Sequence, residues 1–294
     1  MLLYTSQRLP NELAIARPLP AQVVPASVVA SISARSDTVS GPTSVCIQNK
    51  DNDLAIKSCT EFIQQATSNK VALRTAYHRR SVAYAVKRHY DHAIADVTKA
   101  IELNNRMADA YVTRGFIRVN SNRDHADAII DFTKAIELDP AFSQAYIGRG
   151  IAYTETDNLS EAIADFSQAI ALSDDDAGSY HGRARALWKA GRLVEALSDA
   201  ERSLELRPNH ASTLNTRGNI FLSLGQREEA IADFRRALSK NPDLQESRAA
   251  LKQLRVSPLP SKLRVLLDSR RMNGTFHQPA ASKPALVGDR DTAD

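Results

Sequence analysis

A short motif recurs five times along this 294-residue chain at a nearly constant interval. It consists of an aromatic residue or leucine, two variable residues, an arginine and a small residue. Its copies begin at Tyr77, Tyr111, Tyr146, Tyr180 and Leu214, which are 34, 35, 34 and 34 residues apart. An interval of this length is the sequence signature of a solenoid, in which each unit buries its apolar surface only by stacking on its neighbours.

A second recurrent segment follows each motif, for example EAIADFSQAIAL from residue 161. Both segments have apolar residues every three to four positions, which is typical of amphipathic helices. Turn-forming residues separate the two segments, and a proline follows the second one in three of the five copies. We therefore predict helix–turn–helix units at 74–107, 108–142, 143–176, 177–210 and 211–244, the second with one extra residue.

Small residues recur at fixed positions of these units, numbered from the first residue of each. Position 8 holds Ser81, Gly115, Gly150, Ala184 and Gly218; position 20 holds Ala93, Ala128, Ala162, Ala196 and Ala230; position 27 holds Ala100, Ala135, Ala169, Ser203 and Ala237. Small side chains allow two helices to approach closely. Over residues 74–244 this pattern resembles the tetratricopeptide repeat family. The resemblance implies an all-α fold, a right-handed α-solenoid of five repeat units.

The segments outside the five units are predicted from the way solenoids end. A degenerate half-repeat at 43–73 and a helix at 243–255 should cap the solenoid, so that the repeat domain ends at residue 255. Residues 1–42 are a disordered leader or a targeting segment, either a secretory signal or an organelle transit peptide. Residues 256–294 are predicted to be a disordered tail. The residue pattern of the units resembles that of bacterial envelope or secreted repeat proteins.

Every unit carries an arginine at position 7 and an aspartate at position 23. The arginines are Arg80, Arg114, Arg149, Arg183 and Arg217, and the aspartates are Asp96, Asp131, Asp165, Asp199 and Asp233. An unpaired charge near an apolar interface is costly. We therefore predict a ladder of Arg–Asp pairs, within a unit or between neighbouring units. The alternative is that the arginines line a binding groove and hold an acidic ligand.

The only two cysteines, Cys46 and Cys59, lie in the predicted half-repeat. Counted in the repeat register they occupy positions 11 and 24, whose counterparts should meet across the two helices of a complete unit. A disulfide is therefore predicted, and two small buried thiols are the alternative. A disulfide would favour a bacterial periplasmic or secreted location, whereas free thiols would favour a cytoplasmic or organellar one.

The sequence contains none of the common catalytic or cofactor-binding motifs. No phosphate-binding loop, dinucleotide fingerprint, zinc-binding HExxH or nucleophile elbow is present. We predict a protein that is not an enzyme, with no cofactor, metal or small-molecule substrate. No stretch of 18 apolar residues occurs, so no transmembrane segment is predicted. The net charge of +4 comes from 38 basic and 34 acidic residues that alternate along the chain, which disfavours nucleic acid as the partner.

The family resemblance implies an interaction scaffold that binds a peptide or helix of a partner protein in its concave groove. Positions 2, 5, 6, 9 and 12 of the first helices would line that groove. The implied residues are His78, Arg79, Val82, Val112, Phe116, Ile147, Ile151, His181, Arg185, Trp188, Asn215 and Asn219. Trp188 is the only tryptophan; it either anchors the partner with Arg185 and His181 or packs against the adjoining loop. Alternatives for the whole chain are an RNA-binding helical repeat protein and a self-assembling structural protein.

Overall fold

The computed structural model describes residue 46 and residues 51–65, 68–121 and 124–255, and all regular elements in these ranges are α-helices. Each helix contacts mainly its neighbours in sequence, and the first helices of successive units also touch one another. This confirms the predicted all-α helical repeat fold. The helices are α1 (Asn52–Gln64), α2 (Lys70–Val86), α3 (Tyr90–Leu103), α4 (Ala108–Ser121), α5 (His125–Leu138), α6 (Ser143–Glu155), α7 (Leu159–Leu172), α8 (Ala177–Lys189), α9 (Leu193–Leu206), α10 (Ala211–Ser223), α11 (Arg227–Lys240) and α12 (Gln245–Gln253).

Helices α2 to α11 form five antiparallel pairs, preceded by α1 and followed by α12. Helix α2 begins four residues before the predicted start of the first unit, because the Asn69 side chain caps it by accepting a hydrogen bond from the Ala72 N–H at 3.1 Å. The predicted leader at 1–42 and tail at 256–294 lie outside the described residues. So does the predicted first helix of the half-repeat, apart from Cys46.

In the four pairs whose turn is described, the turn depends on one residue in the left-handed backbone conformation, at position 15. Gly191 has φ 77° there, and the N–H of the next residue, Arg192, donates to the Leu187 carbonyl at 2.9 Å. This is the Schellman arrangement that ends a helix and redirects the chain. The other described residues at this position are Arg88 (φ 61°), Asp157 (φ 62°) and Gly225 (φ 78°). The recurrence of this turn fixes how the two helices of a unit meet.

The packing between the middle units depends on a phenylalanine held between two glycines. Phe132 of α5 is fully buried. A Cβ added to Gly115 of the same unit would lie 2.7 Å from its ring, and one added to Gly148 of the next unit would lie 2.3 Å from it. Phe166 has the same relation to Gly150 and Gly182. The ring therefore fills space that exists only because the following unit supplies a glycine.

A second kind of interface replaces the first where the phenylalanine is missing. Two units have Val97 or Ala200 at that position, and the units that follow have threonine in place of the glycine. A buried histidine of the preceding unit shares a hydrogen bond with each of these threonines. The pairs are His78–Thr113 at 2.9 Å and His181–Thr216 at 3.1 Å. Successive units therefore join through either a Phe–Gly or a His–Thr interface.

The two cysteines are joined within the half-repeat. Cys46 and Cys59 are both buried, their Cα atoms are 4.8 Å apart, and their sulfur atoms are at bonding distance. This confirms the predicted proximity of the two residues and joins them in a disulfide. The link ties Cys46 to α1 and closes a covalent ring over a sequence separation of 13 residues, which restricts the unfolded chain.

The Phe–Gly interface predicts a strong effect of a single methyl group. In Gly148→Ala the added Cβ would collide with the Phe132 ring, so the ring or the backbone must shift. We expect the free energy of unfolding, measured by urea denaturation, to fall by about 1–3 kcal/mol.

Gly178→Ala is the matched control. Its Cβ would meet only the Asp176 carboxylate, at 3.2 Å, and that side chain can move. Alanine is also the better helix former by up to about 1 kcal/mol, so this variant should be unchanged or slightly more stable. Equal losses in the two variants would contradict the proposed role of the Phe132 ring.

Candidate functional site

The position-7 arginines each form a two-point ion pair with the aspartate of their own unit. In the third unit the Arg149 Nε and Nη2 atoms donate to the two carboxylate oxygens of Asp165, both at 2.8 Å. The Asp165 side chain is almost fully buried, whereas that of Arg149 is 19% exposed. The other pairs are Arg80–Asp96, Arg114–Asp131, Arg183–Asp199 and Arg217–Asp233. We refer to the five pairs as the arginine ladder.

The same arginines also reach the preceding unit. Arg149 Nη1 donates to the Thr133 hydroxyl at 3.0 Å. The carboxylate partner thus lies within the unit and the hydroxyl partner lies in its neighbour. The hydroxyl partner was not predicted, although a threonine or serine stands two residues after the aspartate in the first three units. The equivalent contacts are Arg80–Thr60 at 2.8 Å, Arg114–Thr98 at 3.2 Å and Arg183–Ser167 at 3.0 Å.

Aromatic rings complete the environment of each ladder arginine. The Cζ atom of Arg149 lies 5.9 Å from the ring centres of both Tyr146 and Tyr153, within the range of a cation–π interaction. The hydrogen bonds that Arg149 donates to Asp165 raise the pKa of Arg149 against the opposing effect of burial, so its guanidinium stays charged. Since its Nε, Nη1 and Nη2 all donate within the protein, Arg149 has little capacity left for an acidic ligand.

Six of the twelve side chains expected to line the groove are buried. Because the first helices of successive units touch one another, position 5 and the neighbouring part of position 9 face the next unit rather than a partner. The correction applies to His78, Val82, Val112, Phe116, Ile147 and His181, each at most 9% exposed. These residues belong to the core of the solenoid, and His78 and His181 form its two His–Thr interfaces.

The polar members of the remaining six are engaged within the protein. Arg185 forms an ion pair with Glu155 of the preceding unit at 2.8 Å. The Trp188 Nε1–H donates to the Ser223 hydroxyl of the following unit at 3.0 Å, so this tryptophan links two units rather than packing only within its own. Lys189 next to it forms further bonds to the preceding unit, at 2.8 Å to the Thr154 carbonyl and 3.3 Å to Asp157.

The outer members of the predicted groove are likewise half-buried. The Asn215 Oδ1 accepts a hydrogen bond from the Ser247 hydroxyl of α12 at 2.7 Å, and the Asn219 amide donates to the Asn215 carbonyl at 3.0 Å. Arg79 stands at the repeat position of Gly148, which faces the preceding unit, and burial lowers its pKa. Ile151 is therefore the one apolar member of the twelve that is neither buried nor tied to a polar partner.

The described segments contain no group of three or more histidine, cysteine, aspartate or glutamate residues placed to hold a metal ion. In the same segments no helix combines the length and apolar character needed to cross a membrane.

Family models match two parts of the chain. Models described as "Tetratricopeptide repeat" match residues 121–177 and residues 183–255. No curated protein matches the sequence.

Several solved structures share the fold. YrrB, a tetratricopeptide repeat protein with an unusual peptide-binding site, is 22% identical with a TM-score of 0.50, over 67% of this chain and 99% of its own. A tetratricopeptide repeat protein from Parabacteroides merdae is 22% identical with a TM-score of 0.58, over 77% and 89%. PilW, a type IV pilus biogenesis factor, is 20% identical with a TM-score of 0.61, over 71% and 96%. At these identities the likeness concerns the fold.

Removing one ladder arginine should be costly because its carboxylate partner stays buried. Arg149→Ala leaves Asp165 without its two hydrogen bonds. Since the pair is neither fully buried nor exposed, we expect the free energy of unfolding in urea to fall by about 2–4 kcal/mol. Adding Asp165→Ala should restore part of that loss.

Lys134→Ala serves as the control, because Lys134 forms an exposed ion pair with Glu137 three residues along the same helix. It should change the free energy of unfolding by less than about 0.5 kcal/mol. Strictly additive losses for Arg149→Ala and Asp165→Ala would show that the two side chains do not act as a pair.

Proposed function

Since this chain is a tetratricopeptide repeat protein, we propose that it is a non-enzymatic scaffold that binds a peptide or helix of a partner protein in its concave groove. Proteins built from these repeats generally act as interaction scaffolds. YrrB, which shares the fold, has a peptide-binding site, and that likeness is an analogy at the level of the fold.

A row of half-buried side chains at positions 9 and 12 of the first helices carries this proposal. In the second and third units the row is apolar, with Val119 and Ile151. Towards the fifth unit it becomes amphipathic, with Trp188, Asn219 and Leu222. Half-buried apolar side chains in a row offer a partner contact area without leaving a large apolar patch in water. A partner segment that places apolar side chains near Ile151 fits this surface best.

The charges on the second helices favour a protein partner over nucleic acid. Several basic side chains there form ion pairs with a glutamate three residues further on. The pairs are Lys99–Glu102 at 2.7 Å, Lys134–Glu137 at 2.8 Å and Arg202–Glu205 at 2.9 Å. Paired charges leave little of the unbroken positive potential that a phosphate backbone requires.

Two isoleucines on different faces provide a matched test. Ile151 lies in the proposed groove, whereas Ile130 lies on α5 and is 64% exposed. Peptides selected from a random display library on the native protein serve as the probe. We expect Ile151→Lys to weaken the selected peptides by about 2 kcal/mol, roughly 30-fold, because a charge would enter the apolar part of the contact. Ile130→Lys should leave the affinity unchanged, and titration by fluorescence anisotropy measures both.

Two controls accompany this test. Both lysine variants should keep the wild-type circular dichroism at the assay temperature. Ile151 packs against the core, so Ile151→Lys should melt lower than Ile130→Lys, and the affinities are compared well below both melting temperatures. Retention of single-stranded RNA on the immobilised protein, lost at high salt, would favour the nucleic-acid alternative. Peptides that bind both variants with wild-type affinity would remove Ile151 from the site and the groove from the proposal.

A further inference from the structure

A continuous polar network lies buried between the fourth and fifth units. The Ser203 hydroxyl of α9 donates to the Ala177 carbonyl at 2.9 Å and lies 3.1 Å from the Thr213 hydroxyl of α10. That hydroxyl in turn lies 2.8 Å from the His210 Nδ1 atom. Ser203 and Thr213 are fully buried, so the network lies inside the joint between the units and not on its surface.

The network continues through a pair of imidazole rings. The His210 ring meets the His181 ring edge to face, with centres 5.4 Å apart and an interplanar angle of 81°. The Nε2 atom of His181 shares its hydrogen bond with Thr216 of the fifth unit. The network thus connects both units through two titratable groups, of which His181 is buried and His210 is half-buried.

Several members of this network differ from the residues at the equivalent positions of the other units. The other four units have alanine at the position of Ser203, and units two and three have Val112 and Ile147 at the position of His181. Ser203 and His210 therefore have no counterpart of the same type in the other units, whereas His181 has one in His78 of the first unit. Each polar member of the network is satisfied only by another member or by the backbone, as buried polar groups require.

The charges that act on His181 are all positive. Burial has the largest effect and lowers the pKa of His181. The charges of His210, of Arg185 from α8 and of Arg207 at the end of α9 lower it further, to about 3. Burial, followed by the charge of Arg207, also lowers the pKa of His210.

The nearby carboxylates already have ion-pair or hydrogen-bond partners. Glu155 forms the ion pair with Arg185, and Asp176 accepts hydrogen bonds from the backbone and hydroxyl of Ser179 at the start of α8. A proton added to this joint would thus meet positive charge without a carboxylate to balance it.

The other His–Thr interface differs in this respect. The Nδ1 atom of His78 lies 3.8 Å from the Asp109 carboxylate, whose charge raises the pKa of His78 against the larger, lowering effect of burial. The two Phe–Gly interfaces have no histidine at this position. Of the four interfaces between the five units, one has an imidazole pair without a carboxylate partner. Another has a single imidazole with a carboxylate, and the two Phe–Gly interfaces have no imidazole at this position.

We propose that the interface between units four and five is an acid-labile joint, at which protonation of His181 and His210 separates α10, α11 and α12 from the rest of the solenoid. A protonated imidazole pair would place two cations 5.4 Å apart beside Arg185 and Arg207. In the open joint the same groups are hydrated and the repulsion is relieved.

The direction of the pH dependence follows from the neutral state of the closed joint. The closed state holds His181 neutral far below the ordinary histidine pKa near 6.5, so its stability is complete above that pH. Stability is lost as the pH falls from about 6.5 towards about 3. Between pH 7.5 and pH 5.0, His181 alone should raise the opening equilibrium about 30-fold.

Hydrogen exchange of the full chain, followed by mass spectrometry at pH 7.5 and 5.0, tests the joint. After correction for the intrinsic exchange rate, the opening of α10 to α12 should increase about 30-fold or more at pH 5.0. Helices α6 and α7, which lie between the Phe–Gly interfaces, should change little. Equal changes in the two regions would overturn the proposal.

Variants separate the histidines from other effects of acid. The double variant His181→Asn/His210→Asn keeps hydrogen-bonding side chains but has no titratable group at these positions. The difference in the opening of α10 to α12 between pH 7.5 and 5.0 should therefore vanish. If the double variant does not fold, His210→Asn alone should reduce the difference, because His210 is only half-buried. His78→Asn is the matched control and should keep the wild-type response of α10 to α12. A wild-type response in every histidine variant would show that another group opens the joint.

Discussion

The arginine ladder is the interaction on which the stacking of units depends. Each guanidinium is held by the aspartate of its own unit, and in the first four units it also donates to a hydroxyl of the unit or half-repeat before it, as Arg149 does to Thr133. A unit therefore completes the hydrogen bonding of its arginine only when its neighbour is in place, which couples the polar and the apolar parts of stacking. Arg80 makes the same contact with Thr60 of α1, so the half-repeat stands in the register of a full unit. The disulfide links Cys46 to α1 within this half-repeat.

The first helices contribute side chains to both the core and the exposed face. More of these side chains are buried in the core than the family resemblance implies. Burial of position 5 in the first four units, and of part of positions 9 and 12, leaves only a few half-buried side chains such as Val119 and Ile151 on this face. Part of that row is already used between units, as in the Arg185–Glu155 pair and the contact of Trp188 with Ser223. The groove that we propose for a partner is consequently centred on Ile151, in the third of the five units.

The periodic features of this chain could be derived from its sequence, and the features found at one interface could not. The 34-residue interval predicts the helix pairs, and an arginine and an aspartate in every unit predict that charges must meet. The burial of His181 depends on the angle at which one unit stacks on the next, which no single residue encodes. The Glu155–Arg185 pair occurs at one interface only, so it has no periodic signal to detect. The leader and tail predictions still rest on composition alone.

The two kinds of interface restrict how an array of this type can grow or shrink by loss of whole units. If the third unit were deleted, Phe132 would meet Gly182 and Thr133 would meet Arg183, so the new neighbours would still match. If the fourth unit were deleted instead, Phe166 would meet Thr216, where the ring has no glycine to receive it. The units are alike in outline but not interchangeable. The residues that match across an interface lie on two neighbouring units, so a change in one unit has to be accompanied by a change in the other.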